Sequence, residues 1–99
     1  KQLNIAKGYD HCFVLNKGEK IAAELSELES GRLIQIFTDQ PGIQLYTGNH
    51  LKGVFSKNQG LCLETQHFPN SPNISSFPST LLKSNTNYYS KTSYHFKKL

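Results

Sequence analysis

Leu33-Ile34-Gln35-Ile36-Phe37-Thr38-Asp39-Gln40-Pro41-Gly42-Ile43-Gln44-Leu45-Tyr46-Thr47 is the stretch from which the fold class follows. Ile34, Ile36 and Phe37 suit a pleated, half-buried surface, so residues 33–38 read as a strand. Asp39-Gln40-Pro41-Gly42 is turn chemistry, with Pro and Gly placed to break pairing. Residues 43–47 form a second strand, ended by Gly48-Asn49. Upstream, Ser30-Gly31 makes a turn into the first of these strands. Before it, residues 21–28 allow two readings. Ile21, Ala22, Leu25 and Leu28 follow helical spacing, yet eight residues is short for a helix, and a strand would complete a hairpin at Ser30-Gly31. Residues 9–15 read as a strand closed by Asn16-Lys17-Gly18. Downstream, residues 61–66 alternate, with Leu61, Leu63 and Thr65 on one face and Cys62, Glu64 and Gln66 on the other. Three prolines make residues 69–78 an irregular loop, and residues 88–96 alternate aromatic with polar side chains as a half-exposed strand does. Five or six strands joined by turns define an all-β protein, of sandwich type.

Ninety-nine residues, 36% of them hydrophobic, suffice for one small domain and are not compositionally disordered. No apolar run approaches the roughly 20 residues that cross a bilayer, and no signal pattern opens the chain. Met is absent, including at position 1, which points to a processed chain or a piece of a longer one. The net charge is +4 from eleven Lys+Arg against seven Asp+Glu. Only Arg32 is an arginine, and the lysines are scattered apart from Lys97 and Lys98. Nucleic-acid binding needs a clustered footprint, so neither nucleic acid nor a membrane is an expected partner. Cys12 and Cys62 lie inside apolar runs and are expected to be reduced and buried.

His11, His50, His67, His95 and the two cysteines show no C-x₂-C, H-x₃-H or H-E-x-x-H spacing, so no metal site is expected. There is no nucleophile elbow and no Gly-rich phosphate loop. Three polar residues do interrupt apolar strands: Asp10, Gln44 and Glu64. Each has a plain structural reading, as a strand-end hydrogen bonder, an exposed-face residue or the solvated side of an edge strand. Carboxylates and an amide on one sheet face are also what a sugar site needs to hold hydroxyls.

The same segments resemble the aldose 1-epimerase (galactose mutarotase) family. Gly8-Tyr9-Asp10-His11-Cys12-Phe13 is similar to its G-[YF]-D-H-x-F motif. Ser30-Gly31-Arg32, then Thr38-Asp39-Gln40-Pro41-Gly42-Ile43-Gln44-Leu45-Tyr46-Thr47-Gly48-Asn49, resembles its S-G-R…T-x-Q-P-G-x-Q-x-Y-T-G-N. Gly60-Leu61-Cys62-Leu63-Glu64-Thr65-Gln66, followed by Phe68-Pro69-Asn70, resembles its G-x-C-L-E-T-Q…[FW]-P-D. Tyr94-His95-Phe96 is similar to its closing strand. The resemblance spans nearly the whole chain and favours the strand reading of residues 21–28.

The resemblance implies part of a galactose mutarotase-like β-supersandwich, with residues 1–99 as the C-terminal part of the domain and the N-terminal portion absent. It implies Glu64 as catalytic base and Asp10 and Gln44 as sugar-binding residues. The reaction would interconvert α and β anomers of free hexoses such as galactose or glucose, in the cytoplasm, with no metal or organic cofactor. The family's general-acid His lies in motifs N-terminal to this segment, so the missing portion or a second chain would supply it. Lys83-Ser84-Asn85 replaces the family's usual L-x-P-G turn, and residues 49–60 form a shorter stretch than is common. The rival reading is a non-catalytic carbohydrate-binding β-module in which Asp10, Gln44 and Glu64 only hold sugar.

Overall fold

The computed structural model describes residues 2–99. A one-turn helix, α1 (Gln2–Ala6), precedes β1 (Asp10–Val14), β2 (Ala23–Glu27), β3 (Arg32–Thr38), β4 (Gly42–Tyr46), β5 (Cys62–Gln66) and β6 (Thr92–Lys98), with a 3₁₀ turn at Ser71–Asn73. The strands form two antiparallel three-stranded sheets, ordered β1-β4-β5 and β2-β3-β6. The all-β reading is correct, and α1 is an element that the strand pattern did not announce.

The Asp39-Gln40-Pro41-Gly42 turn does more than end a strand. It carries the chain from the second sheet into the first, because β3 pairs with β2 and β6 while β4 pairs with β1 and β5. Pro41 has no N–H to extend either ladder, and its carbonyl instead accepts from Leu15 N at 3.0 Å. Residues 21–28 resolve to strand, since Ala23 faces Ile36 and Leu25 faces Ile34 across the β2–β3 hairpin. A single short helix lacks the length to offset its nucleation cost, whereas the β3 edge offers a ready ladder. The Glu27 carboxylate closes the hairpin loop by accepting from Glu29 N at 2.8 Å and Ser30 N at 2.7 Å. Gly31 then takes φ 67, the left-handed conformation in which a side chain is strained.

The last strand is shifted from the expected 88–96 to Thr92–Lys98. The strand begins where Thr38 meets Thr92; beyond it only the bond from Asp39 N to the Lys91 carbonyl at 3.2 Å continues the register, because the chain turns into the other sheet after Asp39. The sheets touch where Thr65 Oγ1 lies 2.7 Å from Thr92 Oγ1, with Thr38 Oγ1 a further 2.9 Å from Thr92. Ile43 on the Thr65 face and Ile36 on the Thr92 face are 4% and 1% exposed; Leu33 is the other buried apolar residue among those described.

That core is small for the surface it leaves. The chain exposes 8006 Å², against about 5,700 Å² for a folded monomer of 11.2 kDa. Its radius of gyration is 16.0 Å, where a compact 99-residue domain measures about 13 Å. Leu25, Tyr94 and Phe96, on the same face as Ile36, remain exposed.

Candidate functional site

Antiparallel register decides which side chains share a face of the first sheet. Cys12 faces Gln44, which faces Glu64 on the other side; Asp10 faces Tyr46, which faces Cys62. Asp10, Gln44 and Glu64 therefore lie on one face, and Phe13, Ile43, Leu45, Leu63 and Thr65 lie on the other. At ideal strand spacing, Asp10 and Glu64 are about 12 Å apart between Cα atoms, two strands across and one rung along. Gln44 stands between them.

Each of the three is positioned by identifiable neighbours. Tyr9, just before Asp10, is pinned to the 47–49 turn: its N–H donates to Thr47 Oγ1 at 2.8 Å, and its carbonyl accepts from Asn49 Nδ2 at 2.7 Å. Gly8 makes room for this, since a Cβ there would collide with the Asn49 carboxamide. Gln44 Nε2 donates to Asp10 Oδ1 at 2.8 Å, which orients both groups across the sheet. The Gln44 Oε1 atom is buried and accepts no hydrogen bond from any described residue. Buried acceptors are paired as a rule, so this oxygen is an exception. Glu64 is exposed, on the middle residue of β5.

Aromatic rings close the two ends of this face. Gly42, one rung from Gln44, lies beneath Phe68: a Cβ at Gly42 would sit 3.0 Å from Phe68 ring carbons and from Cys12 Sγ. Tyr46 lies one rung beyond Gln44 in the other direction. Strand alternation pointed to Gln44 and Glu64 but not to Phe68, which approaches the face from a loop. The Pro41-Gly42 pair is the signal for it, since a glycine at a strand start invites close approach.

A second network, missed from the sequence, buttresses the end of β5. His67 Nδ1 donates to Gln40 Oε1 at 2.8 Å; an amide oxygen only accepts, so the proton sits on Nδ1. Gln40 Nε2 donates to Ser90 Oγ at 2.6 Å and Tyr88 Oη at 2.9 Å. Asp39 accepts from Ser90 Oγ and from Lys91 N. This ties the segment after Glu64, the sheet-switching turn and the approach to β6 together.

Cys12 is half-buried and Cys62 exposed, and both thiols are free. Cys62 thus departs from the expected burial, because alternation puts it on the Glu64 face and not with Leu61 and Leu63. No group of three or more metal-ligating side chains occurs among the described residues. No described helix is long and apolar enough to cross a membrane.

The aldose 1-epimerase family model matches residues 1–95. The chain belongs to the aldose 1-epimerase family. Galactose mutarotase from Mus musculus is 41% identical over 99 residues, covering 90% of this chain and 29% of the relative. Galactose mutarotase from Sus scrofa matches at 41% over the same shares. Aldose 1-epimerase from Escherichia coli (strain K12) is 35% identical over 102 residues, or 91% of this chain and 30% of the relative. The chain thus spans less than a third of the length of these aldose 1-epimerase relatives.

Proposed function

We propose that residues 1–99 are the C-terminal part of an aldose 1-epimerase domain and carry the base half of its site. The observation that carries this reading is the polar face itself: Asp10 and Glu64 flank Gln44, whose amide holds the Asp10 carboxylate in place. A free hexose laid over this face would present hydroxyls to Asp10 and Glu64 and rest its C–H surface against Phe68 and Tyr46. Glu64 takes the proton from the C1 hydroxyl while an acid gives one to the ring oxygen, and the C1–O bond opens to the aldehyde. Rotation about C1–C2 and reclosure with the roles reversed return the other anomer and restore both groups. This is general acid–base catalysis, and the protein needs no net proton source. Among the described residues, no strand position on the Glu64 face is a His, so the acid would come from the rest of the domain or a second chain. Free thiols at Cys12 and Cys62 agree with a reducing, cytoplasmic setting.

Glu64→Gln in an enzyme containing this segment tests the role. Gln keeps the shape but cannot accept a proton, so kcat for α-galactose, followed by polarimetry, should fall by about 10²–10⁴. A folded variant with the wild-type rate overturns the assignment. The absence of a His on the polar face favours one second reading, a carbohydrate-binding module without catalysis. Sugar binding with no loss of rate in Glu64→Gln would establish it.

A further inference from the structure

The polar face does not stop at Tyr46. A cavity of about 230 Å³ opens beside it, walled by Tyr46, Leu51, Phe55, Gln59, Leu61 and Cys62. Two of these walls belong to the sheet itself: Tyr46 and Cys62 share the face of Gln44 and Glu64, one rung along, or about 7 Å. A hexopyranose whose C1 lies at Glu64 spans that rung, so its nearer edge meets the cavity mouth.

The rest of the wall is the 49–60 loop, held by its own hydrogen bonds. Gly48 takes φ 64, and its carbonyl accepts from Leu51 N at 3.3 Å and Asn58 N at 2.9 Å. The Asn58 carboxamide donates to the Thr47 carbonyl at 2.6 Å. A Cβ at Gly48 would collide with the Gly60 carbonyl oxygen and Leu51, so the loop closes over a residue with no side chain.

Two of the cavity's polar oxygens already accept hydrogen bonds. Tyr46 Oη accepts from His50 N at 2.9 Å, and Gln59 Oε1 accepts from Ser56 N at 2.7 Å. What faces the space is Leu51, Phe55, Leu61 and a thiol. A sugar hydroxyl pushed into it would lose water and gain little, whereas a methyl or larger apolar group would be favoured. At about 230 Å³ the space has room for a methyl-sized substituent.

We propose that this cavity is a specificity subsite for free aldoses bearing an apolar group on the ring edge beside the anomeric centre, with 6-deoxyhexoses the simplest members. The proposal rests on the sugar-face reading given above, and the test separates the two. Cys62 lines the cavity and is exposed, so its alkylation by iodoacetamide, read by mass spectrometry on an enzyme containing this segment, reports occupancy. 6-Deoxygalactose should halve the alkylation rate at about one-tenth the concentration that galactose requires. Phe55→Ser should bring that ratio to about one, and Phe55→Leu should restore it. Phe55 lies in the loop and is 57% exposed, so neither variant threatens the sheets. Equal half-protecting concentrations, or tighter binding of galactose, overturn the subsite and leave the sugar face standing. Protection by neither sugar overturns both.

Discussion

Each sheet holds one glutamine bonded across strands to a carboxylate, and the two pairs behave differently. In the second sheet, Gln35 Nε2 donates to Glu24 Oε2 at 2.7 Å, and the pair lies open to solvent. In the first, Gln44 Nε2 donates to Asp10 Oδ1 at 2.8 Å, but the other end of the amide is buried with no described partner. Both bonds are solvent-exposed, and the difference lies at the far end of the amide. Water completes the Gln35 pair, so that pair contributes little beyond a surface contact. A buried acceptor left unmade costs about 1–3 kcal/mol, a cost that the Gln35 pair does not bear. On the proposed reading, the second sheet is scaffold and the first carries the site.

What the sheets share is the surface they leave uncovered, about 2,300 Å² above that of a compact monomer of this mass. The largest expected effect follows from it. The isolated chain should self-associate, as read by light scattering, because exposed apolar surface and open strand edges seek partners. A monodisperse monomer melting cooperatively above about 60 °C would contradict this.

Two substitutions should then part the sheets. Ile36→Ala in the second sheet empties a fully buried position and should cost about 2–5 kcal/mol in chemical unfolding. Gln44→Ala and Asp10→Ala in the first should leave the melt nearly intact. They should weaken galactose binding by about one to two decades, the worth of roughly 1.5–3 kcal/mol in hydrogen bonds to charged or buried groups. Gln35→Ala is the control and should change sugar affinity by less than about twofold, as surface substitutions do. Loss of binding in Gln35→Ala, or none in Gln44→Ala, would erase the contrast between the two pairs.

The smallest effect lies in the β2–β3 loop. The Ser30 hydroxyl, then the N–H groups of Ser30 and Glu29, hold the Glu27 carboxyl below its ordinary pKa of 4.5. A folded pKa lowered in this way stabilises the hairpin above the ordinary value, and the contribution is lost as pH falls through the folded one. Glu27→Gln should flatten that low-pH flank of the unfolding curve slightly and leave stability near neutral pH almost unchanged. An unaltered flank would mean that the loop holds its shape without the charge.

Much of this was legible in the residues. Alternation in Leu61-Cys62-Leu63-Glu64-Thr65-Gln66 assigned Glu64 and Cys62 to one face before any register was known, since neighbouring side chains on a strand point opposite ways. Residues 21–28 were harder, because Ala, Glu and Leu favour helix locally and only the β3 edge overrides them. Phe68 over Gly42, and the His67–Gln40 bond, were illegible for another reason. Both join the loop after β5 to the sheet-switching turn far away along the chain, and no periodicity carries that information.

The sequence by itself determined the all-β class, the turns, the family, and that Asp10, Gln44 and Glu64 interrupt apolar strands. Only the tertiary structure decided that Pro41 moves the chain between sheets, that the three polar residues meet on one face, and that the Gln44 carbonyl lacks a partner there. Strand identity depends on a residue's near neighbours, which the chain order contains. Register, sheet partnership and burial depend on segments tens of residues apart, and those are fixed only when the sheets assemble.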